Sequence, residues 1–160
     1  MGDPHANRTK AAMLPEGDLV AILLTQHARM KELLNQVATS KGIERKELFA
    51  HLAATLKAHD AAEEAVVRPV SEETAGPAVA DARNAEESKA EELVDTLLRL
   101  DVDSAEFDAT FARLKQMVLD HAEAEESEEF STIESERSEE ERQEPGREFL
   151  AEFRAAGGSG

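Results

Sequence analysis

Apolar residues recur at three- and four-residue intervals along most of this chain, the spacing that paints a stripe on an α-helix. Val20, Leu23, Leu24, His27, Met30, Leu34 and Val37 predict a helix from about Asp18, a good N-cap, to Ser40, with Gly42 as its stop. A second helix is predicted over 43–68, with Leu48, Leu52, Thr55, Leu56, His59, Glu63 and Val66 facing inward and Pro69 ending it. PVSEETAGP, 69–77, reads as a loop, and Pro77 suits the first position of a third helix that runs to Leu100. That helix turns Val79, Ala82, Ala90, Leu93, Val94, Leu97 and Leu100 inward. By angle, Glu86 shares the Val79–Leu93–Leu100 line and Glu87 the Ala90–Val94–Leu97 line. After a turn capped by Ser104, a fourth helix carries Phe107, Phe111, Leu114, Met117, Val118, His121 and Glu125 and continues past Phe130.

Four such helices on short connections predict an all-α fold, an antiparallel up-down-up-down four-helix bundle. REFLAEFRAA, 147–156, offers a short fifth helix beyond the break at Pro145-Gly146. The expected division is a flexible arm over 1–15, the bundle over 16–135, and an acidic segment, short amphipathic helix and tail over 136–160. His5 falls in the arm, where a solvated terminal residue is expected.

Composition narrows the chemistry. The 160 residues contain no Cys, which removes disulfides, thiolate metal sites, iron–sulfur clusters and Cys nucleophiles. With no Trp or Tyr, a long-range radical relay lacks its usual side chains. The net charge of −17 opposes binding to nucleic acid, whose phosphates it repels. No apolar run approaches the roughly 20 residues of a membrane span, and the N-terminus lacks a signal peptide's apolar core. The expectation is therefore a cytoplasmic protein without nucleic-acid or membrane partners. Twelve acids lie between Asp120 and Glu144, mostly a solvated face by their density. No Gly-rich phosphate loop and no spaced Ser–His–Asp set is present.

The candidate chemistry sits on the apolar stripes. LKAHDAAEEAVVRP holds His59 and Glu63 four residues apart, and LDHAEAEESEEF repeats the unit with His121 and Glu125. On a helix each pair shares a face, about 6 Å apart. His27 lies on a third stripe, whereas His51 falls about 80° round its helix from His59. Burying three imidazoles and two carboxylates together needs compensation, which a cation supplies. Nitrogen and oxygen donors without sulfur suit iron, manganese or zinc. Glu63 and Glu125 are placed to bridge two ions, with His27 and His59 on one and His121 on the other.

These segments, with DLVAILLTQHARMKELL around His27, resemble the hemerythrin-like, or HHE cation-binding, domain family across roughly 18–133. The resemblance implies a four-helix bundle around a non-haem di-iron centre, two iron ions under an oxo or hydroxo bridge. Glu63 and Glu125 would be bridging carboxylates, and His27, His59 and His121 terminal ligands. The chain departs from the family on its third helix, where relatives supply one or two His. NAEESKAEELV has none; Glu87 stands about where a His is expected, and Glu86 is the nearest substitute. Three His and three Glu make a harder, more anionic site than reversible oxygen carriage goes with. Val67-Arg68-Pro69 stands where relatives often carry an aromatic, so a more open site wall is expected.

The implied function is redox chemistry toward peroxide, oxygen or nitric oxide, with peroxide-decomposing or oxidase-like activity. The alternative is an iron- or oxygen-responsive module, read by a protein partner through the acidic segment or 147–156. A third reading is a metal-free interaction bundle. Zinc or manganese occupancy stays open.

Overall fold

The computed structural model describes residues 4–159. Its elements are α1 (Pro4–Ala12), α2 (Leu19–Thr39), α3 (Gly42–Ala62), α4 (Arg68–Thr74), α5 (Pro77–Leu98), α6 (Ala105–Ala124), α7 (Ser131–Glu136) and α8 (Gln143–Ala155). A π-helical turn, Glu63–Val67, joins α3 to α4, and another, Glu125–Phe130, joins α6 to α7. The bundle therefore has four rods: α2, α3 with α4, α5, and α6 with α7. No strand occurs among the described residues, and none of their helices is long and apolar enough to cross a membrane.

Local chemistry starts the rods where the pattern places them. Asp18 caps α2, its Oδ1 accepting from the Val20 and Ala21 amides at 2.8 and 3.4 Å. Ser104 caps α6 through the Phe107 amide at 3.1 Å. Gly42 adopts a φ of +63°, which lets the chain reverse between α2 and α3 without steric strain. The two turns at that end are tied together. The Gly42 amide donates to Asp103, and Arg45 donates to the carbonyls of Val37 and Val102 and to Asp108. Neighbouring rods consequently run antiparallel.

The interior is apolar at both ends and polar between. One cluster contains Leu33, Leu34, Val37, Phe49, Leu52, Val94, Leu97, Phe107, Phe111 and Leu114. The other contains Leu19, Leu23, Val67, Phe130, Ile133, Phe149 and Phe153. Each fully buried Leu or Phe contributes about 1.5–3 kcal/mol relative to exposure, and these two layers support the polar one between them.

Several expectations are corrected. The arm over 1–15 contains α1, held on α2 by Arg8–Glu32 at 2.6 Å and by buried Asn7; residues 1–3 lie outside the described part. Pro69 does not end its helix. The turn before it is π-helical, with the Arg68 amide donating to Glu63 O, and Pro69 opens α4 at a position where its missing N–H is not needed. The 69–77 loop is thus mostly helix. Pro145 and Gly146 lie inside the first turns of α8 rather than breaking it. A Cβ at Gly146 would fall 2.1 Å from the Gly17 carbonyl oxygen, so this glycine permits the close approach of α8. On α5 the buried line is Ala80, Arg83, Glu87, Ala90, Val94 and Leu97, while Ala82 is exposed.

Candidate metal centre

Between the two apolar clusters, α2 contributes His27, α3 His59, the first π turn Glu63, α5 Glu87, α6 His121 and the second π turn Glu125. They form two overlapping groups: His27, His59, Glu63 and Glu125, and Glu63, Glu87, His121 and Glu125. Within each group one donor atom per residue lies within 4.8 Å of every other. Glu63 and Glu125 belong to both. Glu86 does not join them. It lies on the more exposed α5 line, and its Oε1 accepts from His121 Nδ1 at 2.8 Å.

All three rings are oriented alike. His27 Nδ1 faces Glu126 Oε2 at 2.7 Å, His59 Nδ1 faces Gln26 Oε1 at 2.6 Å, and His121 Nδ1 faces Glu86. These oxygens only accept, so each Nδ1 carries a proton and each Nε2 points inward. His27 Nε2 lies 3.2 Å from Glu125, His59 Nε2 3.1 Å from Glu63, and His121 Nε2 3.0 Å from Glu87 and 3.3 Å from Glu125. The Nε2 atoms of His27 and His59, both Glu63 oxygens and one oxygen each of Glu87 and Glu125 are buried without a hydrogen-bond partner. Unpaired buried groups of this kind are costly. A hard or borderline cation with nitrogen and oxygen ligands would satisfy them, so the donor set fits a metal.

Electrostatics reflect the crowding. Burial, reinforced by the charges of Glu125 and Glu87, pushes the Glu63 carboxyl well up. Asp60 is raised well above its ordinary value by burial and by the charge of Glu87. Burial and the neighbouring His27 hold His59 well below its ordinary value. For His121, burial disfavours the charged ring, but Glu125, Glu86 and Glu87 outweigh it and raise the pKa to about 11. Burial likewise opposes ionisation of Glu125, yet His121 and His27 hold it well below the carboxylate range.

Sequence reasoning missed four participants. Arg68 is buried, and its guanidinium touches Glu87, Glu125 at 3.0 Å, Glu129 at 3.2 Å and Glu63 at 3.7 Å. The wall expected to be open at Val67-Arg68-Pro69 is therefore filled by this side chain, and the cavity beside the cluster is only ≈ 20 Å³, roughly room for one water. Glu126 and Glu129 are hidden in an acidic run that reads as solvated, and Gln26 beside His27 carries no signal of its own. The π turns explain Arg68. In an α-helix a residue five positions on lies about 140° round the axis. A π turn, bonded i to i+5, returns it toward the same face, so Arg68 meets Glu63.

The sequence profile described as Hemerythrin HHE cation binding domain matches residues 18–133. This chain belongs to the hemerythrin HHE family. Searches of curated proteins and of solved structures returned no match. The hemerythrin domain binds metal cations, and its two His and Glu groups here are candidate ligands for them. Both α1 and α8 lie outside the matched residues, yet each bears on an imidazole of the hemerythrin domain. Asn7 of α1 donates to Glu126 at 3.2 Å, the partner of His27, and Phe149 of α8 stacks edgewise 5.8 Å from His59.

Proposed function

We propose that this domain holds two iron ions and is redox-active toward peroxide, oxygen or nitric oxide. The observation that carries the reading is the pair of overlapping donor groups whose inward atoms lack hydrogen-bond partners. His27 and His59 would serve one ion and His121 with Glu87 the other, Glu63 and Glu125 spanning both. When bound, a pair of adjacent irons supplies a two-electron change shared between neighbours.

The chain's own groups set the surroundings. Glu126, Gln26 and Glu86 hold the three Nδ1 protons outward, which fixes ring orientation and raises Nε2 basicity. Phe130 and Phe149 flank His27 and His59 and exclude water from that side. Glu86 acts as an orienting acceptor for His121, leaving Glu87 as the α5 ligand.

The test is metal content with a visible spectrum on protein expressed with added iron. About two irons per chain and bands that change on adding peroxide support the proposal. Glu87→Gln should then lower iron content to about one, whereas Glu86→Gln should weaken binding by roughly 10–100-fold without changing stoichiometry. Zinc alone with no redox response would favour a sensing or structural metal. No metal, with identical melting in chelator, would refute the reading.

A further inference from the structure

The two donor groups are not equivalent. On the His27 and His59 side, both Nε2 atoms, Glu125 Oε1 and both Glu63 oxygens stand without hydrogen-bond partners. On the His121 side Glu87 Oε1 is also without a partner, but the imidazole Nε2 and the carboxylate oxygens that face Arg68 are occupied. Glu87 Oε2 accepts from both Arg68 and His121 Nε2, and Glu125 Oε2 accepts from Arg68 at 3.0 Å. Among the described residues, the ion pairs of Arg68 are with Glu63, Glu87, Glu125 and Glu129. Its contacts inside the cluster are all carboxylates, and Glu87, which belongs only to the His121 group, is the nearest.

We infer that Arg68 is a resident counter-cation that occupies the carboxylates of the His121 subsite and makes metal loading stepwise. The inference rests on the two-ion reading above. Four carboxylates, Glu63, Glu87, Glu125 and Glu129, converge in a buried layer, and without a positive partner their mutual repulsion would oppose folding. Arg68 supplies that charge, and a guanidinium stays protonated at any ordinary pH. The same contact has a cost for binding. An ion entering beside Glu87 and Glu125 meets a fixed cation on the oxygens it needs, whereas an ion entering beside His27 and His59 meets donor atoms with no partner.

The side chain also has somewhere to go. Arg68 Nε donates to Asn84 Oδ1 at 2.9 Å, and Nη1 donates to both Glu129 oxygens, at 3.2 and 3.4 Å. Neither acceptor belongs to a donor group. Nη2 alone reaches Glu87 and Glu125, so the second ion needs to displace only that end of the fork, with Glu129 and Asn84 retaining the rest. Arg68 is thus a positioning residue that ranks the two subsites: the His27–His59 subsite fills first and the His121 subsite second.

The experiment is an oxygen-free titration of the metal-free full chain with Zn2+, by calorimetry and by NMR of the Arg68 Nε–H. Two steps separated by at least tenfold in affinity are expected, the Nε–H resonance moving mainly with the second. Arg68→Gln should tighten the second step at least tenfold, leave the first within about threefold, and lower the melting temperature in chelator. Arg68→Lys keeps the charge without the fork; it should retain more metal-free stability and tighten the second step less. Should the Gln variant fold only with metal, that dependence is the counter-cation role itself, and the Lys variant carries the affinity comparison. Two equal steps in the wild type, or an unchanged or weaker second step in both variants, overturns the inference while leaving the two-ion reading intact. A wild type that takes up no Zn2+ and no iron refutes the two-ion reading instead.

Discussion

Replacing Asp18 tests whether the fold is held together as described where α8 joins the bundle. Asp18 is fully buried and does two jobs. Its Oδ1 caps α2, and its Oδ2 accepts from Arg142 Nε at 2.8 Å, next to a Leu19 amide that donates to the Arg142 carbonyl. Arg142 is itself only 5% exposed. Losing an Asp cap costs about 1 kcal/mol, and stranding one member of a buried ion pair costs about 3–5 kcal/mol. Asp18→Ala should therefore lose about 4–6 kcal/mol, a large share of the roughly 5–15 kcal/mol that holds a domain together. Asp18→Asn keeps an accepting oxygen for the cap and should lose about 3–5 kcal/mol. The assay is urea unfolding of the metal-free protein; with a slope near 2 kcal/mol per molar, the Ala midpoint falls by roughly 2–3 M. Adding Arg142→Met should restore much of the loss, because the stranded charge is then gone, and a double-mutant cycle reads that coupling directly. An Asp18→Ala loss below about 2 kcal/mol, or a coupling near zero, would refute the argument.

Three further outcomes follow from the buried layer. Phe149→Ala should cost about 3–5 kcal/mol as a large-to-small core change and speed chelator stripping of the metal by uncovering His59; an unchanged stripping rate would show that α8 does not shield the site. Metal binding should release protons, since His121 is raised to about 11 and Glu63 well above its ordinary value. Zn2+ affinity should then climb with pH, roughly tenfold per unit for each proton displaced. For the metal-free fold the sign is opposite. The His121 contribution is full below its unfolded pKa and fades as pH rises toward about 11. Glu63, whose folded pKa is raised, becomes a liability as pH climbs above its unfolded value. Chelated protein should therefore unfold more easily at pH 9 than at pH 6, and equal stability at both would contradict the electrostatic description.

What the chain determined alone is its set of rods and the donors that face inward. The stripe Val20, Leu23, Leu24, His27, Met30, Leu34, Val37 is buried as its spacing requires, and His59, Glu63, His121 and Glu125 follow from the same period. Local signals sufficed there because a helix face is set by residues three and four apart, and a cap by residues two or three apart. Which of Glu86 and Glu87 is buried was a choice between two lines on α5, and only packing decided it, by burying the Ala90–Val94–Leu97 line. The π turns are absent from the pattern, since one extra residue in a turn shifts everything after it without disturbing the stripe before it. Arg68, Glu129 and the end of α4 all depend on that shift. The outward partners are also tertiary facts. Asn7 meets Glu126 across 119 positions, and Gln26 meets His59 across 33. A polar side chain on an exposed-looking position carries no mark of the distant group it will pair with. Which such groups satisfy one another is decided only when the rods pack and water is excluded from between them.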